Sequence, residues 1–175
     1  MKKVTVFGSS KCRPGDTEYN SAYKIGQLLG EYGFSVATGG YQGTMEAISK
    51  GASEYGVEVT GCTTPNLFLD REGGNQYINN EIKSTSLSNR IGDLVGYSNI
   101  IIVLPGTIGT LTELLVVWNQ EFIKECNETE TTHTIYLHEA FWKPVLEGMS
   151  DNLKLPLGLI DYFSDENDLM NKINS

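Results

Sequence analysis

At 175 residues, with 39% hydrophobic and 20% charged residues, the chain has the size and make-up of one soluble globular domain with an α/β core. Its net charge of −9 argues against a duplex-DNA binder, whose surface should be basic. No apolar run approaches the ~20 residues of a membrane helix, and Met1 to Gly8 pass directly into a strand pattern with no signal-peptide core.

The negative balance leaves room for a small phosphorylated ligand, because exposed charges are screened beyond about 8 Å and local amides then decide. Cys12, Cys62 and Cys126 are an odd number with no CxxC pair, which predicts neither a disulfide framework nor a zinc site and points to a reduced, cytoplasmic protein. His133 and His138 lie on opposite faces of a strand-like segment, so no metal pair is expected there.

In chain order, Lys3 to Gly8 is a short β-branched run ending in glycine. Tyr19 to Tyr32 has Ala22, Ile25, Leu28 and Leu29 at helical spacing, with Gly33 as its stop. Residues 34–40 predict a second strand, Thr44 to Tyr55 a second helix, and 57–62 a third strand. A polar loop from Pro65 to Gln76, containing Arg71, Glu72, Gly73 and Gly74, breaks the rhythm, and 77–84 reads as a short extended piece. Ser86 to Tyr97 fits a helix, Asn99 to Leu104 a strand, Thr110 to Lys124 a helix and His133 to Leu137 a strand. A helix over Ala140 to Leu153, interrupted early by Pro144, a strand over Ile160 to Phe163 and a helix from Asp165 close the chain. Alternation with near-continuous apolar strands predicts a Rossmann-like, doubly wound parallel sheet of five to seven strands, a single domain over 1–175.

In such sheets ligands bind outside the carboxyl ends of the strands. Three strands here end in small-residue loops: "FGSSKCRPG", "TGGYQGTMEA" and "LPGTIGTLTE". Glycines let backbone approach a ligand, and the first amides of each following helix carry a partial positive charge suited to phosphate. The residues expected to face it are Gly8 and Ser9, then Gly39, Gly40, Gly43, Thr44 and Met45, then Gly106, Thr107, Gly109 and Thr110. No P-loop triplet occurs, and "FGSS" stands where a dinucleotide fingerprint would have GxGxxG.

Together, "VTVFGSS", "TGGYQGTMEAISKGA" and "LSNRIGDLVGYSNIIIVLPGTIGTLTELL" resemble the LOG (lonely guy) family with its PGGxGTxxE motif, across nearly the whole chain. The resemblance implies hydrolysis of the N-glycosidic bond of a nucleoside 5′-monophosphate, releasing a base and ribose 5-phosphate, by a homodimer without metal or cofactor. It implies that Glu113 and Arg90 are catalytic and that the helix start at Gly109 and Thr110 holds the 5′-phosphate. The small-molecule nucleotide is then the ligand, with no nucleic-acid or membrane partner. A carboxylate near the sugar suits an oxocarbenium-like transition state.

Thr110 to Glu113 also reads as a capping box, with Thr110 at the N-cap and Glu113 reaching back to its amide. Thr107 replaces a motif glycine, and Asn89 and Ile91 stand where the family carries glutamate and lysine. These departures keep a second reading open, a nucleotide-binding sensor or carrier of the same fold without hydrolysis. Cys12 has no activating base near it in sequence and is read as incidental. Trp118, in an apolar helix, is expected in the core or at a subunit contact.

Overall fold

Strands and helices alternate throughout the computed structural model, which describes residues 2–65, 67 and 73–175. The first half comprises β1 (Lys3–Phe7), α1 (Thr17–Glu31), β2 (Ser35–Thr38), α2 (Thr44–Ser53), β3 (Val59–Thr63) and β4 (Asn80–Lys83). The second comprises α3 (Leu87–Tyr97), β5 (Ile100–Val103), α4 (Ile108–Cys126), β6 (Thr134–His138), α5 (Glu139–Leu153), β7 (Asp161–Phe163) and α6 (Glu166–Asn174). All seven strands join one parallel sheet in the order β4-β3-β2-β1-β5-β6-β7. The Rossmann-like doubly wound architecture expected from the sequence is therefore present.

Side-chain alternation explains why both faces are covered. Val4, Val6, Ile102, Leu104 and Tyr136 point to the layer of α1, α2 and α6, while Phe7, Ile101, Val103, Ile135 and Leu137 point to α3, α4 and α5. α1 and α2 meet backbone to backbone: a Cβ on Gly26 would lie 2.4 Å from the Ile48 carbonyl oxygen. The edge strands β4 and β7, of four and three residues, are only partly buried, as sheet edges usually are.

β1 pairs with both β2 and β5, so the chain leaves the middle of the sheet in opposite directions after β1 and after β5. The diverging loops open a crevice at this switch point, where ligands bind in open α/β sheets.

Most element ends shift by one to three residues from the sequence reading, and two differences have a clear physical cause. α4 begins at Ile108 instead of Thr110, because Thr107, extended at φ −118° and ψ −165°, takes the N-cap place and the Leu111 amide reaches back to its carbonyl. α5 runs unbroken from Glu139 to Leu153 through Pro144. Proline costs that helix one amide bond, to Ala140 four residues back, and Ala140 is exposed, so its carbonyl can be solvated. Arg71 and Glu72, expected in the polar loop, lie outside the described residues. Gly74 and Asn75 of that loop are tied down, the Gly74 amide to Glu81 Oε1 at 3.0 Å and the Asn75 amide to the Gly40 carbonyl at 2.7 Å.

Candidate active site

Helix α3 is opened by Ser86, whose hydroxyl accepts the Asn89 amide at 3.1 Å. One turn on, Arg90 points inward with Ile91, Leu94 and Val95, and is 6% exposed. A buried guanidinium needs partners, and Arg90 has three. Nε donates to the Cys62 carbonyl at 2.7 Å, Nη2 to the Gly39 carbonyl at 3.2 Å, and Nη1 to Glu113 Oε1 at 3.0 Å. It thereby ties the ends of β2 and β3 to α4. Its Cζ also sits 5.6 Å from the centre of the Tyr41 ring, a cation–π contact.

Glu113 reaches this place from α4, where Thr110, Glu113, Leu114 and Val117 share the inward stripe. It is 7% exposed. Burial pushes its carboxyl above the ordinary range, and Arg90 offsets this only in part. Oε1 accepts from Arg90, whereas Oε2 makes no hydrogen bond to any described residue. The capping-box reading is thus corrected. Thr110 lies inside the helix, its hydroxyl donates to the Gly8 carbonyl at 2.9 Å, and Glu113 turns to Arg90 instead of back to the helix start.

Between these groups lies a cleft of about 250 Å³. It is lined by Arg90, Glu113, Tyr41 and Met45, by Thr107, Ile108, Gly109 and Thr110 at the start of α4, and by Gly8 and Ser10 after β1. The amides of Ile108, Gly109 and Thr110 have no carbonyl four residues earlier within α4, so they are its orphan donors. Gly109 has open space around it, with nothing within 4 Å of where a Cβ would stand. Thr107 is exposed and its side chain makes no cap hydrogen bond.

Of the residues expected from sequence, Gly8, Met45, Arg90, Thr107, Gly109, Thr110 and Glu113 line this cleft. Ser9, Gly39, Gly40, Gly43, Thr44 and Gly106 do not, and their close approaches are to protein. A Cβ on Gly39 would meet Arg90 Nη2 at 2.0 Å, and one on Gly106 would meet Thr110 Oγ1 at 2.1 Å. Gly40 and Gly43 have φ of +77° and +75°, and the Gly43 position abuts the Ser9 carbonyl. Ser9 is buried, with its amide and carbonyl both bonded to Thr44. Sequence reasoning missed Ser10, Tyr41 and Ile108. Tyr41 lies inside the quoted "TGGYQGT", but nothing in its spacing foretold a ring beneath Arg90.

The remaining sequence features are accounted for by packing. Trp118 is 2% exposed and donates its indole N–H to the Pro156 carbonyl at 3.2 Å, so it belongs to the core. Cys12 is buried, which pushes its thiol up and disfavours the thiolate. Ile91 enters the apolar core beside α3 and Asn89 bonds Thr85 on the surface, so neither reaches the cleft. His133 Nδ1 stands 2.6 Å from Glu121 Oε1, in a contact that fastens the start of β6 to α4. Among the described residues no group of three His, Cys, Asp or Glu is arranged to hold a metal, and no helix is long and apolar enough to cross a membrane.

Fold and cleft together define a Rossmann-type protein with a helix start and a buried Arg–Glu pair at its switch point. Comparison with known sequences carries this further: the chain belongs to the SLOG cluster4 family, whose sequence model matches residues 1–134. Its relatives include an uncharacterized protein of Archaeoglobus fulgidus, 28% identical over 66% of this chain and 73% of that one. A rice protein described as a probable cytokinin riboside 5′-monophosphate phosphoribohydrolase, LOGL5, is 32% identical over 69% of this chain and 50% of its own. The pyrimidine/purine nucleotide 5′-monophosphate nucleosidase of Escherichia coli K12 is 31% identical over 57% of this chain and 23% of its own length. The chain therefore spans half or less of these two named enzymes. Among solved structures, the molybdenum cofactor carrier protein of Chlamydomonas reinhardtii superposes with a TM-score of 0.76 at 18% identity, over 99% of this chain and 96% of that one. That likeness establishes the fold.

Proposed function

We propose that this protein hydrolyses the N-glycosidic bond of a nucleoside 5′-monophosphate, AMP-like or a cytokinin riboside monophosphate, to free base and ribose 5-phosphate. The observation that carries the reading is the buried Arg90–Glu113 pair beside the start of α4, with Glu113 Oε2 left for the cleft. The 5′-phosphate sits at the orphan amides of Ile108, Gly109 and Thr110, each such charge-assisted bond contributing about 1.5–3 kcal/mol. Thr107 adds a hydroxyl there. The sugar then lies over Glu113, whose carboxylate stabilises the oxocarbenium-like state or orients the attacking water. Arg90 fixes the carboxylate in one rotamer. The nucleotide 5′-monophosphate enzymes among the relatives support this reaction class.

A second reading, a sensor or carrier that binds a nucleotide without cleaving it, is favoured by one observation. Thr107 stands exposed at the start of α4, a side chain where the family motif has a glycine. Incubation with AMP separates the two: free adenine appearing over time supports the enzyme, and binding by calorimetry with no base released supports the sensor.

The same reading includes a homodimer and a cytoplasmic location. Leu115, Phe122 and Ile123 on α4 and Leu153 at the end of α5 are exposed apolar groups suited to a second copy. Three free cysteines fit a reducing compartment. Sedimentation of the purified protein tests the dimer.

A further inference from the structure

Thr44 is the first residue of α2 and Thr110 the third of α4, and both were expected to bind phosphate through their loops. Their hydroxyls are turned instead to one short piece of backbone after β1. Thr110 Oγ1 donates to the Gly8 carbonyl at 2.9 Å. Thr44 Oγ1 accepts the Ser9 amide at 2.9 Å and donates to the Ser9 carbonyl at 3.2 Å, and the Thr44 amide meets that same carbonyl at 2.9 Å. A hydroxyl has a single proton, so neither threonine has one left for a ligand. The glycines around them fit this role. A Cβ on Gly8 would stand 2.1 Å from Thr44 Oγ1, and one on Gly106 would stand 2.1 Å from Thr110 Oγ1.

We infer that Thr44 and Thr110 are positioning residues, two latches that clamp Gly8 and Ser9 between the starts of α2 and α4 and so set where the α4 amides stand. The inference rests on the reading that an anion docks at α4, and it reassigns the work there to backbone amides and Thr107. Thr110 is 2% and Thr44 1% exposed, as fits residues that hold a loop. Because Thr110 holds Gly8 and Thr44 holds the adjoining Ser9, loosening either latch is expected to loosen the loop at the other.

The test combines Thr44→Val, Thr110→Val, the double variant and the serine variants, with two measurements. One is hydrogen exchange of the Ser9 amide in ligand-free protein, followed by NMR; the other is the dissociation constant for inorganic phosphate and for AMP. Each valine variant is expected to weaken phosphate binding roughly tenfold, the scale of an ordinary hydrogen bond, Thr110→Val giving up one such bond and Thr44→Val two. The double variant is expected to be little worse than either single one, since the two share a single effect. Ser9 exchange is expected to accelerate in Thr110→Val, although the Ser9 amide itself is bonded to Thr44. Thr110→Ser, which keeps the hydroxyl, is expected to recover most of both. The inference is overturned if Thr110→Val weakens phosphate binding with Ser9 exchange unchanged, or if the two valine effects multiply in the double variant. It is equally overturned if Thr44→Val leaves phosphate binding untouched. Should the wild-type protein bind neither phosphate nor AMP, the docking reading fails, while Ser9 exchange still decides whether the latches are coupled.

Discussion

Arg90 Nη1 and Glu113 Oε1 stand 3.0 Å apart with side chains only 7% and 10% exposed, so this ion pair is held inside the protein, away from bulk water. Arg90 comes from α3 and Glu113 from α4, and the contact joins the two helices across the carboxyl ends of β2 and β3. Replacing one partner leaves the other as an uncompensated buried charge, which typically costs about 3–5 kcal/mol. Arg90→Ala should therefore lower the free energy of unfolding by that order, as read from urea titration. The paired change Arg90→Met with Glu113→Leu should regain much of it. A double-variant loss equal to the sum of the Arg90→Met and Glu113→Leu losses would mean the pair is not coupled.

The Glu113 carboxyl is raised by burial beyond what Arg90 offsets. If the ionised form does the chemistry, it is lost as pH falls through a value above the ordinary glutamate pKa of 4.5. The acid limb of kcat/KM for base release should accordingly lie above that value. A limb at or below it would show that Glu113 is not the group being titrated.

Gly109 faces open space, unlike Gly39 and Gly106. Alanine there suits a helix interior better by up to about 1 kcal/mol, but places a methyl where the ligand's phosphate would sit. Gly109→Ala should melt no lower than the parent and bind AMP more weakly. Unchanged AMP affinity would remove the phosphate from this helix start.

Glu121 is 1% exposed, and its carboxyl lies at about 2, against an ordinary value of 4.5. Burial alone would raise it, but hydrogen bonds from Lys124, His133 and the backbone of Thr132 and His133 outweigh that cost. A depressed carboxylate pKa contributes stability above the unfolded value and loses it as pH falls. Unfolding free energy should thus drop between about pH 4.5 and 2, more steeply in the parent than in Glu121→Gln. Parallel profiles for the two proteins would refute this.

The fold was legible because its signals are local. Apolar strands such as Ile100 to Leu104, helical spacing such as Leu87, Ile91, Leu94 and Val95, and glycine stops such as Gly33 each report on a few neighbouring residues. The pairing of Arg90 with Glu113 is a contact between distant segments, and only the family resemblance put the two residues at one site. Elsewhere, local chemistry misled. Thr110 to Glu113 spells a capping box, yet Thr107 takes the cap and tertiary partners claim both side chains. Glycine loops suited to ligands proved in part to be places where protein meets protein, as at Gly39 under the Arg90 guanidinium. Periodicity could not reveal which side of a loop faces the cleft, since that depends on how α2, α3 and α4 pack around it.

The proposed hydrolysis rests on Glu113 acting as a carboxylate on a sugar anchored at α4. Chromatographic measurement of adenine released from AMP by the parent and by Glu113→Gln, with binding of AMP followed in parallel, tests this directly. The parent should release base, and the folded glutamine variant should bind AMP but turn over slower by roughly a hundredfold or more, the usual scale for losing a transition-state electrostatic partner. Near-normal turnover in Glu113→Gln, or a parent that binds AMP and never releases adenine, would contradict it.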